Sequence, residues 1–173
     1  IIMKRKNILI FGANGILGNI IFKKLLNNYN VIGFSHKSSR NKNIIKTNYR
    51  RLSKNHRSII KNADVMINCI GENSNEKNMI YKNIYVLKLI SNEINRYSYK
   101  KTFIHLSTCG VYGFTYNDKI SEKINPMPNT VYSKTKLKGE KILKQNLNQN
   151  IKLIVLRSSQ VIGKNIISGK LVK

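Results

Sequence analysis

The chain has 173 residues and a large excess of basic side chains, with 32 Lys and Arg against 7 Asp and Glu and a formal net charge of +25. Its 41% hydrophobic content can form a buried core, and no apolar run approaches the ~18 residues of a membrane helix. Two cysteines cannot build a disulfide framework, so we expect a reducing cytoplasm and no membrane association.

The positive charge raises the alternative of a nucleic-acid-binding protein, because Lys and Arg neutralise phosphates. Lys outnumbers Arg 25 to 7, however, and Arg is the residue whose planar fork binds phosphate through two hydrogen bonds. The basic residues are also spread along the chain, without a basic stripe interleaved with aromatics. We therefore interpret the charge as a solvated surface produced by AT-rich coding, and we keep nucleic-acid binding as the weaker alternative.

Short apolar runs alternate along the chain with longer segments of helical periodicity. Six unbroken runs are typical of strands buried on both faces: 7–11, 30–34, 43–46, 64–70, 102–107 and 151–156. Four segments have the spacing of helices: 16–27, 53–62, 78–97 and 130–145. This order predicts one α/β domain of the Rossmann type, a doubly wound parallel sheet of about six strands with helices on both faces.

A glycine-rich turn follows the first predicted strand and opens the first predicted helix. Gly12, Gly15 and Gly18 are spaced three residues apart. In a dinucleotide-binding loop such glycines permit a tight turn, close approach of the backbone to a pyrophosphate, and close packing of helix on strand. The N-terminus of the helix adds free N–H groups for the phosphates. We predict a dinucleotide site here; a purely structural turn is the alternative.

The end of the second predicted strand bears on the choice between NAD and NADP. Many dinucleotide sites carry an acid about 20 residues after the loop, which binds the adenosine ribose diol. Ser35 takes that position here, and Lys37 and Arg40 follow it. Loss of the carboxylate removes repulsion against a 2′-phosphate, and the cations attract one. We hypothesise a preference for NADP over NAD; ordinary loop cations are the alternative.

A hydroxyl group and a Tyr–Lys pair form the predicted catalytic group. Thr108 ends the fifth predicted strand, at the carboxyl edge where ligands of α/β sheets bind. Tyr132 and Lys136 are four residues apart, so they share one face of a helix. An ammonium group one turn away lowers the pKa of a phenol from about 10 and gives an acid/base for an alcohol or ketone beside a hydride carrier.

These motifs, in this order, resemble the extended short-chain dehydrogenases/reductases, the NAD(P)-dependent epimerase/dehydratase family that modifies nucleotide sugars. Residues 107–113 are similar to the family's Ser-Ser/Thr-x-x-Val-Tyr-Gly segment, and residues 156–163 to its Leu-Arg-x-x-x-Val-x-Gly segment. Residues 64–71 look like its fourth strand and the loop beside the cofactor, and Asn83 matches its helix asparagine. The resemblance runs from residue 12 to residue 163.

The resemblance also implies a set of site residues. Thr108 would orient the reacting oxygen, Tyr132 would exchange the proton, and Lys136 would hold the nicotinamide ribose. The residues implied for cofactor binding are Gly12, Asn14, Gly15, Ile16, Gly18, Ser35, His36, Lys37, Cys69, Ile70, Gly71, Ser107, Tyr132, Lys136, Ser158 and Ser159. Cys109 and Gly110 stand where dehydratases carry Asp and Glu, which disfavours a 4,6-dehydratase.

The implied function is that of an NAD(P)-dependent epimerase or reductase acting on a nucleotide-linked sugar by hydride transfer. A non-catalytic Rossmann module or a truncated remnant is the alternative. Family members continue into a small sugar-nucleotide-binding lobe, so we expect residues 1–173 to hold the cofactor domain with the catalytic residues and to lack most of that lobe. A homodimer stays open.

Three further residues are expected to have structural roles. Cys69 and Cys109 are each interpreted as a small buried thiol, and His105 as a sheet histidine whose hydrogen bonds are satisfied. The three histidines and two cysteines of the chain lack metal-ligand spacing, so no metal site is predicted.

Overall fold

The computed structural model describes residues 5–97, 99–114, 120–159, 161, 166–167 and 170–171. Its strands are β1 (Asn7–Phe11), β2 (Asn30–Ser35), β3 (Ile44–Lys46), β4 (Val65–Asn68), β5 (Lys101–Thr108), β6 (Ile151–Ser158), β7 (Ile166–Ile167) and β8 (Lys170–Leu171). Its helices are α1 (Ile16–Leu25), α2 (Lys54–Asn62), α3 (Glu76–Ile80), a π-helical turn (Tyr81–Tyr85), α4 (Val86–Ile94), a 3₁₀ turn (Cys109–Tyr112) and α5 (Val131–Asn146).

The first six strands form one parallel sheet in the order β3-β2-β1-β4-β5-β6. Successive side chains of β1 point to opposite faces, so Leu9 and Phe11 join a core with α2, α4 and α5. Ile8 and Ile10 face the other way and pack with Phe22 of α1. The sheet is therefore covered on both faces, and the predicted Rossmann-like, doubly wound fold is confirmed.

Residues 36–43 join β2 to β3 through a short exposed loop without a helix, in agreement with the predicted elements. The chain departs from the predicted elements between β4 and β5. The predicted helix over 78–97 is divided into α3, the π-helical turn and α4. π-helical turns within α-helices often lie at functional sites. Here the turn carries Asn83, whose amide donates to Thr135 Oγ1 at 3.0 Å and to the carbonyl of Glu72 at 3.0 Å.

The strand order reverses between β1 and β4, which are neighbours in the sheet. From β1 the chain runs outward to β2 and β3, and it then returns to form β4 on the other side of β1. Such a switch point opens a crevice at the carboxyl edge of the sheet. The glycine loop after β1, the residues after β4 and the end of β5 all meet this edge. Gln160, Ile162 and Gly163 of the predicted segment after β6 lie outside the described residues. Among the described helices, none is both long and apolar enough to cross a bilayer.

Candidate functional site

The glycine loop leaves no room for side chains where it meets its neighbours. Gly12 has a φ of +80°, and a Cβ there would lie 3.0 Å from the backbone nitrogen of Ile70. A Cβ on Gly18 would lie 2.9 Å from the carbonyl carbon of Gly12, nearer than real Cβ atoms approach backbone. The loop and the start of α1 therefore present bare backbone to the crevice, and this geometry fits the pyrophosphate of a dinucleotide.

A cavity of about 510 Å³ extends from the start of α1 to the carboxyl ends of β5 and β6. Many of the predicted site residues line it together: Gly15, Ile16, Cys69, Ile70, Gly71, Ser107, Thr108, Tyr132, Lys136, Ser158 and Ser159. Other lining residues were not predicted: Leu17, Glu72, Asn73, Leu106, Cys109, Gly110 and Val161. The glycine loop and the Thr/Tyr/Lys group thus share one cavity.

The remaining predicted cofactor residues lie around this cavity rather than in its wall. The Asn14 amide ties the glycine loop to the carbonyls of Lys37 and Ser38, at 3.5 and 3.3 Å. Ser35 is only 2% exposed, and its hydroxyl accepts a hydrogen bond from the backbone N–H of Lys37. Lys37 and Arg40 are exposed and line neither this cavity nor the second one described next.

A second cavity, of about 570 Å³, lies on the other side of Gly12. It is lined by Gly12, His36, Lys46, Thr47, Asn48, Tyr49, Arg51, His56, Ile70, Tyr81, Lys82 and Val86. Burial and the neighbouring cations Lys82 and Lys37 lower the pKa of His36. The Tyr49 hydroxyl is buried beside the backbone of Gly12, and burial raises its pKa. This cavity therefore combines cationic and aromatic side chains.

Sequence reasoning missed the part of this cavity that comes from β3 and the turn after it. Lys46 is paired in register with Ser35 across β2 and β3. Lys46 and Arg51 are exposed, and neither forms an ion pair with a carboxylate of the described residues. The strand order, which the sequence pattern does not state, brings them beside the end of β2.

The Thr/Tyr/Lys group is positioned by β5 and by the start of α5. Thr108 is the last residue of β5, and its hydroxyl accepts a hydrogen bond from the N–H of Gly110 at 3.2 Å. Thr130 caps α5, accepting a hydrogen bond from the N–H of Ser133 at 3.1 Å, which fixes where the helix begins. Tyr132 and Lys136 then follow on successive turns of α5.

Lys136 is 3% exposed, and its ammonium donates to the carbonyl of Leu106 at 2.6 Å. Burial lowers the pKa of Lys136 to about 8, against the opposing effects of Glu140 and Cys69. Burial also raises the pKa of Tyr132. The expected lowering of the phenol's pKa by Lys136 is therefore not seen in this arrangement, because the ammonium is directed to Leu106.

An ion pair between a buried carboxylate and a half-buried arginine lies directly behind this group and was not predicted. Glu140 of α5 pairs with Arg157 of β6, with 2.7 Å between Oε2 and Nη2 and 3.2 Å from Nε to each carboxylate oxygen. The hydroxyl of Ser107 also donates to Glu140. Arg157 Nη1 donates to the hydroxyl of Tyr112 at 2.8 Å, and its guanidinium lies 4.8 Å from that ring's centre. In the sequence, the position of Glu140 four residues after Lys136 indicates that the two side chains share one face of the helix.

The remaining interpretations of single residues have mixed outcomes. His105 is fully buried in β5, where its Nδ1 lies 2.9 Å from the amide nitrogen of Asn68, whereas its Nε2 has no hydrogen-bond partner among the described residues. The expectation of a satisfied histidine is therefore met at one ring nitrogen and wrong at the other. Burial, and then the charge of Lys136, hold the pKa of His105 well below its usual range. Cys69 is half-buried, and burial raises its pKa to about 12. The expectation of a buried thiol is wrong for Cys109, which is exposed because it starts the 3₁₀ turn at the cavity mouth.

Comparison with known proteins identifies relatives of this architecture. The model of the NAD dependent epimerase/dehydratase family matches residues 8–172. UDP-glucuronic acid 4-epimerase from Bacillus cereus, in complex with NAD, superposes with a TM-score of 0.76 at 24% identity, over 91% of this chain and 57% of that chain. UDP-N-acetylglucosamine 4-epimerase from Methanobrevibacter ruminantium, in complex with UDP-N-acetylmuramic acid, gives 0.76 at 23% identity, over 90% and 55%.

A short-chain dehydrogenase/reductase superfamily protein from Agrobacterium tumefaciens, with bound NAD, superposes with a TM-score of 0.75 at 18% identity, over 87% of this chain and 48% of that chain. A search of the curated proteins finds no match. The chain thus spans little more than half the length of the two epimerases. At these identities the likeness to solved structures shows the fold.

Proposed function

The chain belongs to the NAD-dependent epimerase/dehydratase family, and from that membership we propose that it binds a nicotinamide dinucleotide and acts on a nucleotide-linked sugar. One observation carries the proposal: the glycine loop and the side chains of Thr108, Tyr132 and Lys136 open into the same cavity. A phosphate-binding loop and an acid–base group then serve one bound pair of reactants. The reaction is that of an epimerase or a reductase.

The residues that would hold the cofactor are those that leave backbone exposed at the crevice. Gly12 and Gly15 would receive the pyrophosphate against the N-terminus of α1. Cys69 to Gly71 after β4 and Ser158 and Ser159 at the end of β6 would enclose the nicotinamide half. When bound, the nicotinamide supplies hydride acceptance or donation at a sugar carbon. The domain assignment proposed for residues 1–173 is accordingly cofactor binding together with catalysis.

The protein's own groups would manage the proton and orient the reacting oxygen. Thr108, at the end of β5, would hydrogen-bond that oxygen. Because burial raises the pKa of Tyr132, its phenol is protonated at neutral pH and would donate to a developing alkoxide. The reverse direction needs a phenolate, which the ammonium of Lys136 would stabilise from one helical turn away.

We favour NADP over NAD as the cofactor. Ser35 places no carboxylate at the end of β2, and its hydroxyl is occupied by the backbone of Lys37. The cations that line the adjoining cavity, Lys46 and Arg51, would attract a 2′-phosphate there. These cations replace Lys37 and Arg40 as the favoured phosphate ligands, because the latter two do not line the cavity.

The test compares cofactor binding and turnover in the wild type and Tyr132→Phe. NADPH and NADH binding is followed by nicotinamide fluorescence, and UDP-glucuronic acid and UDP-N-acetylglucosamine serve as the first sugar probes. We expect Tyr132→Phe to keep cofactor binding and to lose turnover by at least about a hundredfold. Tyr29→Phe, at an exposed tyrosine, is the matched control and should retain both.

The outcome also separates the alternatives. Turnover without net change of cofactor indicates an epimerase, whereas stoichiometric reduction of NADP⁺ by the sugar hydroxyl, the reverse of a keto-sugar reduction, indicates a reductase. Cofactor binding without turnover of any nucleotide sugar would instead support a non-catalytic module. A chain that binds neither cofactor contradicts the proposal, and salt-dependent RNA binding in that case would support the nucleic-acid alternative.

A further inference from the structure

We propose that the ion pair Glu140–Arg157 sets the charge of Lys136, with Glu140 keeping the ammonium protonated and Arg157 limiting that effect. In this view Glu140 is a positioning residue, which acts through Lys136 and touches neither the cofactor nor the sugar. The inference rests on the proposed function only in naming Lys136 as the lysine of the acid–base group.

The first support is the common helix face on which these groups lie. Tyr132, Lys136 and Glu140 follow one another at intervals of four residues along α5, so their side chains stack on successive turns. Lys136 is 3% exposed and Glu140 is 6% exposed. Two opposite charges therefore lie one turn apart in a region from which water is largely excluded, where their interaction is weakly screened.

The second support is that the carboxylate is held in a fixed orientation. Arg157 contacts both of its oxygens through Nε and Nη2, and the hydroxyl of Ser107 donates to Oε1. Arg157 is in turn held by the hydroxyl and ring of Tyr112. The carboxylate is therefore held in place by β5 and β6, one helical turn from Lys136, while the ammonium of Lys136 donates to Leu106.

The third support comes from the charges that face Lys136 from each packed element. Cys69 follows β4, and His105 belongs to β5. Tyr132 and Glu140 belong to α5, and Arg157 of β6 lies behind Glu140. Burial raises the pKa of Cys69 to about 12 and holds that of His105 well below its usual range, so both are neutral near pH 7. Burial also raises the pKa of Tyr132, which leaves Glu140 as the negative charge acting on Lys136 among the described residues.

The charge of Lys136 is sensitive to this neighbour because its pKa of about 8 lies close to neutrality. A pKa of 8 leaves about nine in ten of the molecules protonated at pH 7. Removal of the carboxylate would lower the pKa further, and the uncompensated Arg157 would add repulsion. Removal of Arg157 alone has the opposite sign, because the carboxylate then acts on Lys136 without its partner.

The test is an NMR titration of lysine residues labelled with ¹³C at Cε, performed on the whole chain without cofactor or sugar. The Lys136 signal is identified by its loss in Lys136→Met. We expect Glu140→Gln to raise the acid dissociation constant of Lys136 about tenfold or more, the usual effect of losing a close opposite charge. We expect Arg157→Gln to lower the same constant by about threefold or more. Both substitutions break the same ion pair and leave its buried or half-buried partner unpaired, so both should lower Tm.

The opposite signs distinguish an electrostatic role from a structural one. Glu93→Gln is the matched control, since Glu93 of α4 is a buried carboxylate that pairs with Arg57 and Arg96. It should lower Tm and leave the Lys136 midpoint unchanged. Glu140→Asp keeps the charge and should restore most of the wild-type midpoint; it also serves if Glu140→Gln does not fold.

Midpoints that stay unchanged, or that move in the same direction in Glu140→Gln and Arg157→Gln, would overturn the inference. The titration requires no turnover, so the result is independent of the sugar and of the reaction. A chain with the expected midpoints but no turnover would contradict the proposed function and leave this inference standing.

Discussion

Replacement of Gly18 by alanine tests whether the contact between the glycine loop and α1 determines cofactor binding. Gly18 is buried in the first turn of α1, and its Cα faces the carbonyl of Gly12. An alanine Cβ would lie 2.9 Å from the carbonyl carbon of Gly12 and 3.1 Å from the Cα of Ala13. Both neighbours are backbone, so neither can rotate away as a side chain would.

The size of the effect follows from this geometry. Ordinary van der Waals contact begins at 3.4 Å, so the carbonyl carbon alone requires the loop and the start of α1 to separate by about 0.5 Å, and the carbonyl oxygen of Gly12, which lies nearer to the Cβ, requires more. Forcing one extra methyl group into a packed site costs about 1–3 kcal/mol of the free energy of unfolding. The same movement shifts the helix N-terminus relative to the turn at Gly12, and we expect the Kd for NADPH to rise about tenfold, or 1.4 kcal/mol.

Urea unfolding and NADPH fluorescence titration measure the two effects in the same samples. Lys24→Ala, at an exposed position of the same helix, is the control and should change the free energy of unfolding by less than about 0.5 kcal/mol. An unfolding midpoint and a Kd for NADPH that both match the wild type in Gly18→Ala would refute the reasoning about this contact.

Three further predictions concern charged groups. Arg51→Gln should weaken binding of NADPH at least about fivefold while changing binding of NADH little, and Arg40→Gln should change neither. A larger effect of Arg40→Gln in the fluorescence titration would indicate that the 2′-phosphate binds at the loop after β2. Lys101→Met should lower the free energy of unfolding in urea by about 1–3 kcal/mol, because the ammonium donates to the carbonyls of Lys61 and Ala63 at 2.7 Å each. The control Lys100→Met, at an exposed position, should leave the free energy of unfolding unchanged. The pKa of Lys136 falls from 10.5 to about 8 on folding, so the folded chain binds fewer protons between these values, and the wild type should gain stability relative to Lys136→Met as pH rises from 8 to 10. A difference between these two unfolding free energies that stays constant over that pH range would contradict the burial of the ammonium.

The local pattern of the sequence determines the strands well because each is buried on both faces. β1 spans the predicted residues 7–11 without change, since its apolar run ends at Gly12. β5 and β6 extend beyond their apolar runs, to Thr108 and Ser158, because their polar last residues pair with each other across the sheet. Backbone pairing, which has no composition signal, decides the ends of these strands.

The parts that sequence reasoning missed depend on contacts between distant segments. The π-helical turn at Asn83 accommodates a bond to Thr135, more than fifty residues away, and helical periodicity is insensitive to one extra residue in a turn. Glu140 lies four residues after Lys136, which the sequence shows, but its partner Arg157 belongs to a separate element, β6. Lys46 and Arg51 belong to the second cavity only because β3 lies beside β2.

Tyr132, Lys136 and Glu140 lie on one face of α5, so their relative positions all depend on the register of this helix. An α-helix turns by about 100° per residue, so one residue inserted between Lys136 and Glu140 would rotate Glu140 away from Arg157, and one inserted before Lys136 would separate it from Tyr132. The exposed loop of residues 36–43 is not helical, so an inserted residue there does not rotate the residues that follow in this way. Variation in length should therefore accumulate in that loop and be excluded from α5, where a gain or loss of one residue changes chemistry rather than shape.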